Sequence, residues 1–168
     1  MPPAYRLDAS AQQIAAVLRA DPAGDVWQGG EVVPGGYAPV IIRDNERGRH
    51  IVPRQWGVPP PPRGEYVVPF VRNLESPFWI GTLRHTQFRC LVPMTHFRKG
   101  NDWFTNAAQP LIACAGIWRD SEIPSFAILT SGPNSALPVI LQPDDCDIWL
   151  QADIKIARRL VEGPAGAV

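Results

Sequence analysis

Arg89-Cys90-Leu91-Val92-Pro93, continuing through Met94-Thr95-His96-Phe97, is the stretch from which the rest of the chain can be read. A short, largely apolar run closed by proline predicts a buried strand that ends in a turn at Pro93. Whatever follows Pro93 is then delivered to the end of a rigid element, where binding groups concentrate. Ala113-Cys114-Ala115-Gly116-Ile117-Trp118 has the same character, as does Phe126-Ala127-Ile128-Leu129-Thr130-Ser131 followed by Leu137-Pro138-Val139-Ile140-Leu141. Such runs, separated by polar or Pro/Gly punctuation, predict a β core.

Working outward, 168 residues suffice for one domain with a substantial core and fall short of two, so residues 1–168 are expected to form a single domain. Hydrophobic residues at 45% and charged residues at 19% place the chain among globular proteins, and 19 prolines with 14 glycines favour many turns and short strands over a helical bundle. The formal net charge is zero, which removes any global attraction for a polyanion. A nucleic-acid site would have to be a local patch.

Cys90, Cys114 and Cys146 show neither close pairing nor Cys/His ligand spacing, so no disulfide framework and no metal site is expected. No Gly-rich phosphate loop, carboxylate pair or Ser-His-Asp order stands out, and no cofactor is expected. The opening Met-Pro-Pro lacks a basic region followed by an apolar stretch, and no apolar run reaches membrane-spanning length. A soluble, cytoplasmic setting is the expectation.

Local patterns fill in the architecture. Asp8 or Ser10 can cap an amphipathic helix over 9–20 with Ile14, Val17 and Leu18 on one face. Val40 to Arg43 and His50 to Trp56 flank a polar turn and predict a hairpin, and Tyr66 to Val71 is a further strand candidate beyond the Pro59 to Pro62 connector. Ser76 before Pro77 predicts a helix over 77–86. Asp144, Asp145 and Asp147 ahead of Arg158 and Arg159 give the charge order of one helix over 148–161. The fold class expected is α+β, a curved, mostly antiparallel sheet or open barrel with a few flanking helices.

The ordered set RCLVP, a phenylalanine four residues on, AGIW, an acidic pair, FAILT and LPVIL resembles the SOS response-associated peptidase-like (SRAP) family. Upstream, Met1-Pro2-Pro3-Ala4-Tyr5 stands where that family begins Met-Cys-Gly-Arg-Tyr, and Trp56-Gly57 matches its Trp-Gly turn. Arg72 to Trp79 resembles the segment before RCLVP. The resemblance implies the family's fold and a role in DNA damage: binding of single-stranded DNA at abasic sites. It also implies covalent capture of the abasic aldehyde by an N-terminal cysteine, supported by a glutamate and a histidine.

This chain departs from that pattern where the chemistry sits. Pro2 replaces the cysteine, Lys99 stands where the glutamate belongs, and Asn134 stands where the histidine belongs. The family's asparagine corresponds to Asn73 or, in a second register, to Phe70 with Arg72 matching a nearby arginine. Thiol cross-linking and autopeptidase activity are therefore expected to be lost, and no enzymatic activity is assigned. Pro2 as a free N-terminal amine could condense with an aldehyde, and His96 is the one histidine near the site available for acid/base work. Arg54, Arg72, Arg84, Arg89, Arg98 and Lys99 could line a phosphate backbone, and Trp56, Phe70 or Trp103 could offer stacking faces to unpaired bases. The partner expected is single-stranded DNA; the alternative is a catalytically inactive, phage- or mobile-element-related relative acting as an interaction or structural protein.

Overall fold

The computed structural model describes residues 2–132 and 137–162. In chain order the elements are β1 (Tyr5–Leu7), α1 (Ala11–Leu18), β2 (Gly30–Val32), β3 (Tyr37–Asp44), β4 (Gly48–Trp56), β5 (Phe70–Val71) and α2 (Pro77–Leu83). A 3-10 turn at Thr86–Phe88 precedes β6 (Arg89–Met94), β7 (His96–Lys99), β8 (Asp102–Phe104), β9 (Ile112–Arg119), β10 (Ser125–Leu129) and β11 (Ile140–Leu141). Two helices, α3 (Asp145–Gln151) and α4 (Ile154–Glu162), follow. The class is α+β, as the sequence predicts.

The three apolar runs are neighbours at the centre. β6 pairs antiparallel with β9 along its whole length, from Arg89↔Ile117 to Met94↔Ile112, and with β3 at Ile41↔Leu91. The β3–β4 hairpin has the expected polar turn, and β4 continues the sheet to β10 through a parallel pair at Gln55↔Ser125. β10 also pairs with β9, from Ser125↔Arg119 to Ile128↔Gly116. That last ladder closes the curved sheet into a five-stranded barrel of β9, β6, β3, β4 and β10, with β5 and β11 as short outer partners. Closure removes the exposed edges that an open sheet would leave.

Closure brings backbones close at Gly116. A Cβ there would lie 2.7 Å from Val92 Cγ2, 3.0 Å from Cys90 Sγ and 3.1 Å from the Ala127 carbonyl, so only glycine fits. Gly57, at the Trp-Gly turn, has φ +105° and packs against Val67, which reserves that position as well.

A second, four-stranded antiparallel sheet, ordered β2-β1-β7-β8, lies beside the barrel. Here the sequence reading needs correction. Pro93 does not end its strand but stays in β6 opposite Ala113, and the chain changes sheet two residues later, at Thr95. Thr95 holds that crossing: its N–H and its hydroxyl both donate to the Arg6 carbonyl, at 2.8 and 3.0 Å, and its Oγ1 accepts from the Asp8 N–H at 3.0 Å.

The helices follow their caps. Ser10 makes a full capping box with Gln13, and Ser76 accepts from the Phe78 N–H with Pro77 in the first turn. Both helices are shorter than expected, ending at Leu18 and Leu83. The single helix expected over 148–161 is two, broken at Ala152-Asp153, where Asp153 starts α4 by accepting from Lys155 N–H at 2.8 Å. The strand expected from Tyr66 reduces to Phe70–Val71 plus a bridge between Val58 and Val68. One buried apolar cluster includes residues from both sheets and all four helices.

Candidate functional site

A cavity of about 560 Å3 opens where the two sheets meet the start of α2. Its wall on the barrel side is the segment Val68 to Phe70, held in place because β5 pairs parallel with β10 at Phe70↔Ile128. A tight turn then carries the chain into α2: the Asn73 side-chain oxygen accepts from the Glu75 N–H at 3.0 Å, and its carbonyl accepts from Ser76 N–H at 3.2 Å. This turn sets Arg72 and Asn73 at the mouth, with Ser76 and Trp79 of α2 behind them. The opposite wall is Phe97, Arg98, Lys99 and Gly100 of β7 and its turn, and Pro2-Pro3 complete the rim.

The aromatic wall is built from the core outward. Tyr5 meets Trp56 edge-on at 5.0 Å between ring centroids, Trp56 meets Phe70 at 5.7 Å, and Phe70 meets Phe97 at 6.5 Å. The Trp56 indole also donates to the Pro69 carbonyl at 3.0 Å. Phe70 is thus fixed from behind, as edge-to-face aromatic pairs fix their members.

Charge in the cavity is one-sided. Arg72, Arg98 and Lys99 line it, and among the described residues no aspartate or glutamate does. The Arg72 guanidinium lies 5.0 Å from the Phe70 ring, and Arg98 donates to the Pro2 carbonyl while lying 5.4 Å from the Trp103 ring. A chain of zero net charge therefore concentrates three cations around a partly aromatic hollow. The rings of Phe70, Phe97 and Trp79, each less than a tenth exposed, form the floor of this hollow beneath the cations.

Of the residues the sequence points to, Pro2, Phe70, Arg72, Asn73, Arg98 and Lys99 meet at this cavity. Arg89 does not. Its side chain is 0% exposed on β6 and donates to the carbonyls of Leu83, Trp149 and Ala152, so it closes the carbonyl ends of α2 and α3 rather than meeting a ligand. Trp56 is likewise 0% exposed, the support of Phe70 rather than a stacking face. Arg54 lies flat over Trp118 at 4.4 Å and donates to the Pro53 carbonyl; burial of its guanidinium lowers its pKa. It too is absent from the cavity lining.

His96 is opposite Arg6 in the β1–β7 ladder, outside the cavity, with Nδ1 2.8 Å from Thr95 Oγ1 and 3.6 Å from the Asp8 carboxylate. Because the Thr95 hydroxyl spends its proton on the Arg6 carbonyl, the His96 Nδ1 is the donor in that contact. The hydrogen bond from Arg6 holds the Asp8 carboxyl below its ordinary range. This quartet ties β1 to β7 and places His96 outside the cavity lining. Asn134 lies outside the described residues.

Trp79, Ser76 and Phe97 were not singled out as site residues. Phe97 could have been found from strand alternation, since Phe97 and Lys99 share one face of β7. Among the described residues no His/Cys/Asp/Glu group could hold a metal, and no helix is long and apolar enough to cross a membrane.

Two solved structures share this architecture. A protein from Bordetella bronchiseptica matches with a TM-score of 0.74 at 18% identity, over 97% of this chain and 95% of that one. A phage-related protein from the same organism matches with a TM-score of 0.73 at 15% identity, over 96% and 87%. At these identities the likeness is one of fold. No family model matches the sequence, and no curated protein matches it at a significant level.

Proposed function

We propose that this protein binds single-stranded DNA in the cavity between β5, α2 and β7, as a divergent relative of the SRAP family that engages abasic positions without the family's covalent chemistry. One observation carries the reading. Residues as far apart in sequence as Pro2 and Lys99, singled out for their match to family site positions or for their charge, meet at one cavity with three cations and no carboxylate. Phosphate would be held by Arg72, Arg98 and Lys99, and the empty sugar of an abasic position would sit over the floor made by Phe70 and Phe97, which are 7% and 5% exposed.

Covalent capture through sulfur has no agent here. Pro2 stands in place of the cysteine, and Cys90, Cys114 and Cys146 are all buried. The phage-related structural relative supports a second reading, an interaction or structural protein that no longer engages DNA.

Fluorescence anisotropy of a labelled single-stranded 12-mer, intact and with one central abasic site, separates the two. The expected result is binding whose log K falls with log salt at about 0.7 per phosphate contact, hence a slope near −2 for three cations. Borohydride treatment followed by intact mass measurement should show no adduct. Absence of salt-sensitive binding to either oligonucleotide would leave the second reading in place.

A further inference from the structure

We propose that the strand leaves the cavity in one direction only, over the β7–β8 hairpin, with a flanking base stacked on Trp103 and its phosphate on Arg98. The inference rests on the DNA-binding reading above and names the path of the strand.

The two ends of the cavity differ in charge. Beyond Arg72 and Asn73 the surface continues into a smaller hollow of about 250 Å3 against α4. Its second cation, Arg158, is claimed there by the carboxylates of Glu75 and Glu162, both also lining that hollow. With Arg72 and Arg158 against Glu75 and Glu162 the charges of that hollow cancel, and Arg158 is already paired to both carboxylates. A phosphate entering on that side gains no net attraction, unlike one on the hairpin side.

The hairpin end has the opposite character. Arg98 and Lys99 lead out of the cavity, and the chain turns at Gly100 with φ +62° into β8. β8 is the edge of its sheet, and all three of its residues are exposed. Trp103 and Phe104 keep 38% and 48% of their surface exposed, and neither is a member of the buried apolar cluster. Large aromatics left out of the core on an edge strand are costly unless something covers them. Their register connects them to the site: Trp103 is the cross-strand partner of Arg98, and Phe104 that of Phe97, and both partners line the cavity. Trp103 is the better platform because Arg98, already 5.4 Å from its ring, supplies a cation next to it. Asp102 is the one carboxylate of the hairpin, opposite Lys99.

The test compares dT3 with dT12 by anisotropy, using the full chain. Trp103→Ala should weaken dT12 by between about five- and a hundredfold, the worth of one stacked base, and leave dT3 within twofold. Trp103→Phe should recover most of the loss. Arg98→Ala should lower the salt slope for dT12 by about 0.7. Glu75→Gln with Glu162→Gln should tighten dT12 by opening the second exit. Equal binding of dT12 by wild type and Trp103→Ala, alongside weakening by Arg72→Ala, would overturn the path while leaving the site. Failure of wild type to bind either oligonucleotide would overturn the underlying reading as well.

Discussion

Arg89 and Trp149 hold one another from two sides: Arg89 Nη1 donates to the Trp149 carbonyl at 3.1 Å with the guanidinium 5.5 Å from the indole ring, and the indole N–H donates at 3.0 Å to the carbonyl of Cys90, the next residue after Arg89. The same guanidinium reaches the Leu83 carbonyl at the end of α2 and the Ala152 carbonyl just past α3. A single buried cation thereby fixes two helix ends to the central strand. The Ala152 carbonyl it takes lies at the junction between α3 and α4, where Asp153 caps the second helix.

Arg89→Met keeps much of the side-chain volume and leaves three buried carbonyls without their donor. Unsatisfied buried acceptors cost about 1–3 kcal/mol each when nothing replaces the bond, so a total loss of about 3 kcal/mol is expected after relaxation. Equilibrium urea unfolding should show a lower midpoint at unchanged slope. A loss below about 1 kcal/mol would mean that Arg89 is not what secures the helix ends.

Gly116→Ala puts a methyl group against Val92, Cys90 and the Ala127 carbonyl at the seam of the barrel. Overpacking of this kind costs about 1–3 kcal/mol, and the backbone neighbour leaves little room to relax. The same unfolding experiment measures it, with Gly81→Ala as the control, since a Cβ at Gly81 meets nothing within 4 Å.

Burial pushes the Cys90 and Cys114 thiols well above the ordinary thiol range, and Cys146 is shifted the same way. Because thiolate is the reacting form, none of the three should react quickly with a thiol-exchange reagent at pH 8 in the folded protein. All three should react on unfolding in urea. The sign for stability follows from the raised folded values: the contribution is complete below the unfolded thiol value of 9.0 and is lost as pH climbs above it, because only the unfolded chain releases the proton. The unfolding midpoint should therefore fall between pH 9 and 10.5, and Cys114→Ala should flatten part of that fall.

Membership of the cavity ranks the cations. Arg72→Ala and Lys99→Ala should each weaken oligonucleotide binding by about fivefold, the equivalent of roughly 1 kcal/mol for a solvent-exposed charge contact. Arg54→Ala and His96→Ala, which change residues outside the lining, should stay within twofold. Anisotropy at fixed low salt measures all four. An Arg54→Ala effect as large as that of Arg72→Ala would place the binding surface elsewhere.

The β core was legible because its signal is local: apolar runs bounded by Pro, Gly and charge become β6, β9 and β10, and Ser10 and Ser76 mark helix starts through caps that act over three residues. What resisted reading depends on contacts made at long range. The one local sign of a helix break at Ala152 is the cap at Asp153, and the guanidinium that holds the Ala152 carbonyl comes from 63 positions earlier. Pro93 looks like a strand end and is not, because the crossing is decided by Thr95 bonding to Arg6 and Asp8. The candidate site divides the same way. Pro2, Asn73 and Lys99, whose positions resemble family motifs, converge, whereas Arg89 and Arg54, which charge alone recommends, do not. Charge in a sequence does not say which arginines are buried. Trp56 misleads for a related reason, as an aromatic beside a turn can either face a ligand or stand behind the residue that does.

The parallel pairings of β10 with β4 and β5 set when the cavity can exist. Phe70 is positioned by Ile128, and the parallel β4–β10 contact joins Gln55 to Ser125, so the wall of the site waits on segments about sixty to seventy positions apart. Loop-closure entropy makes such pairings late events in folding, after local hairpins such as β3–β4. A nascent or partly folded chain could display its arginines but would have no hollow in which to gather them. The cavity is therefore a readout of completed topology: the oligonucleotide binding proposed for it should appear during refolding with the slowest kinetic phase, and never ahead of it.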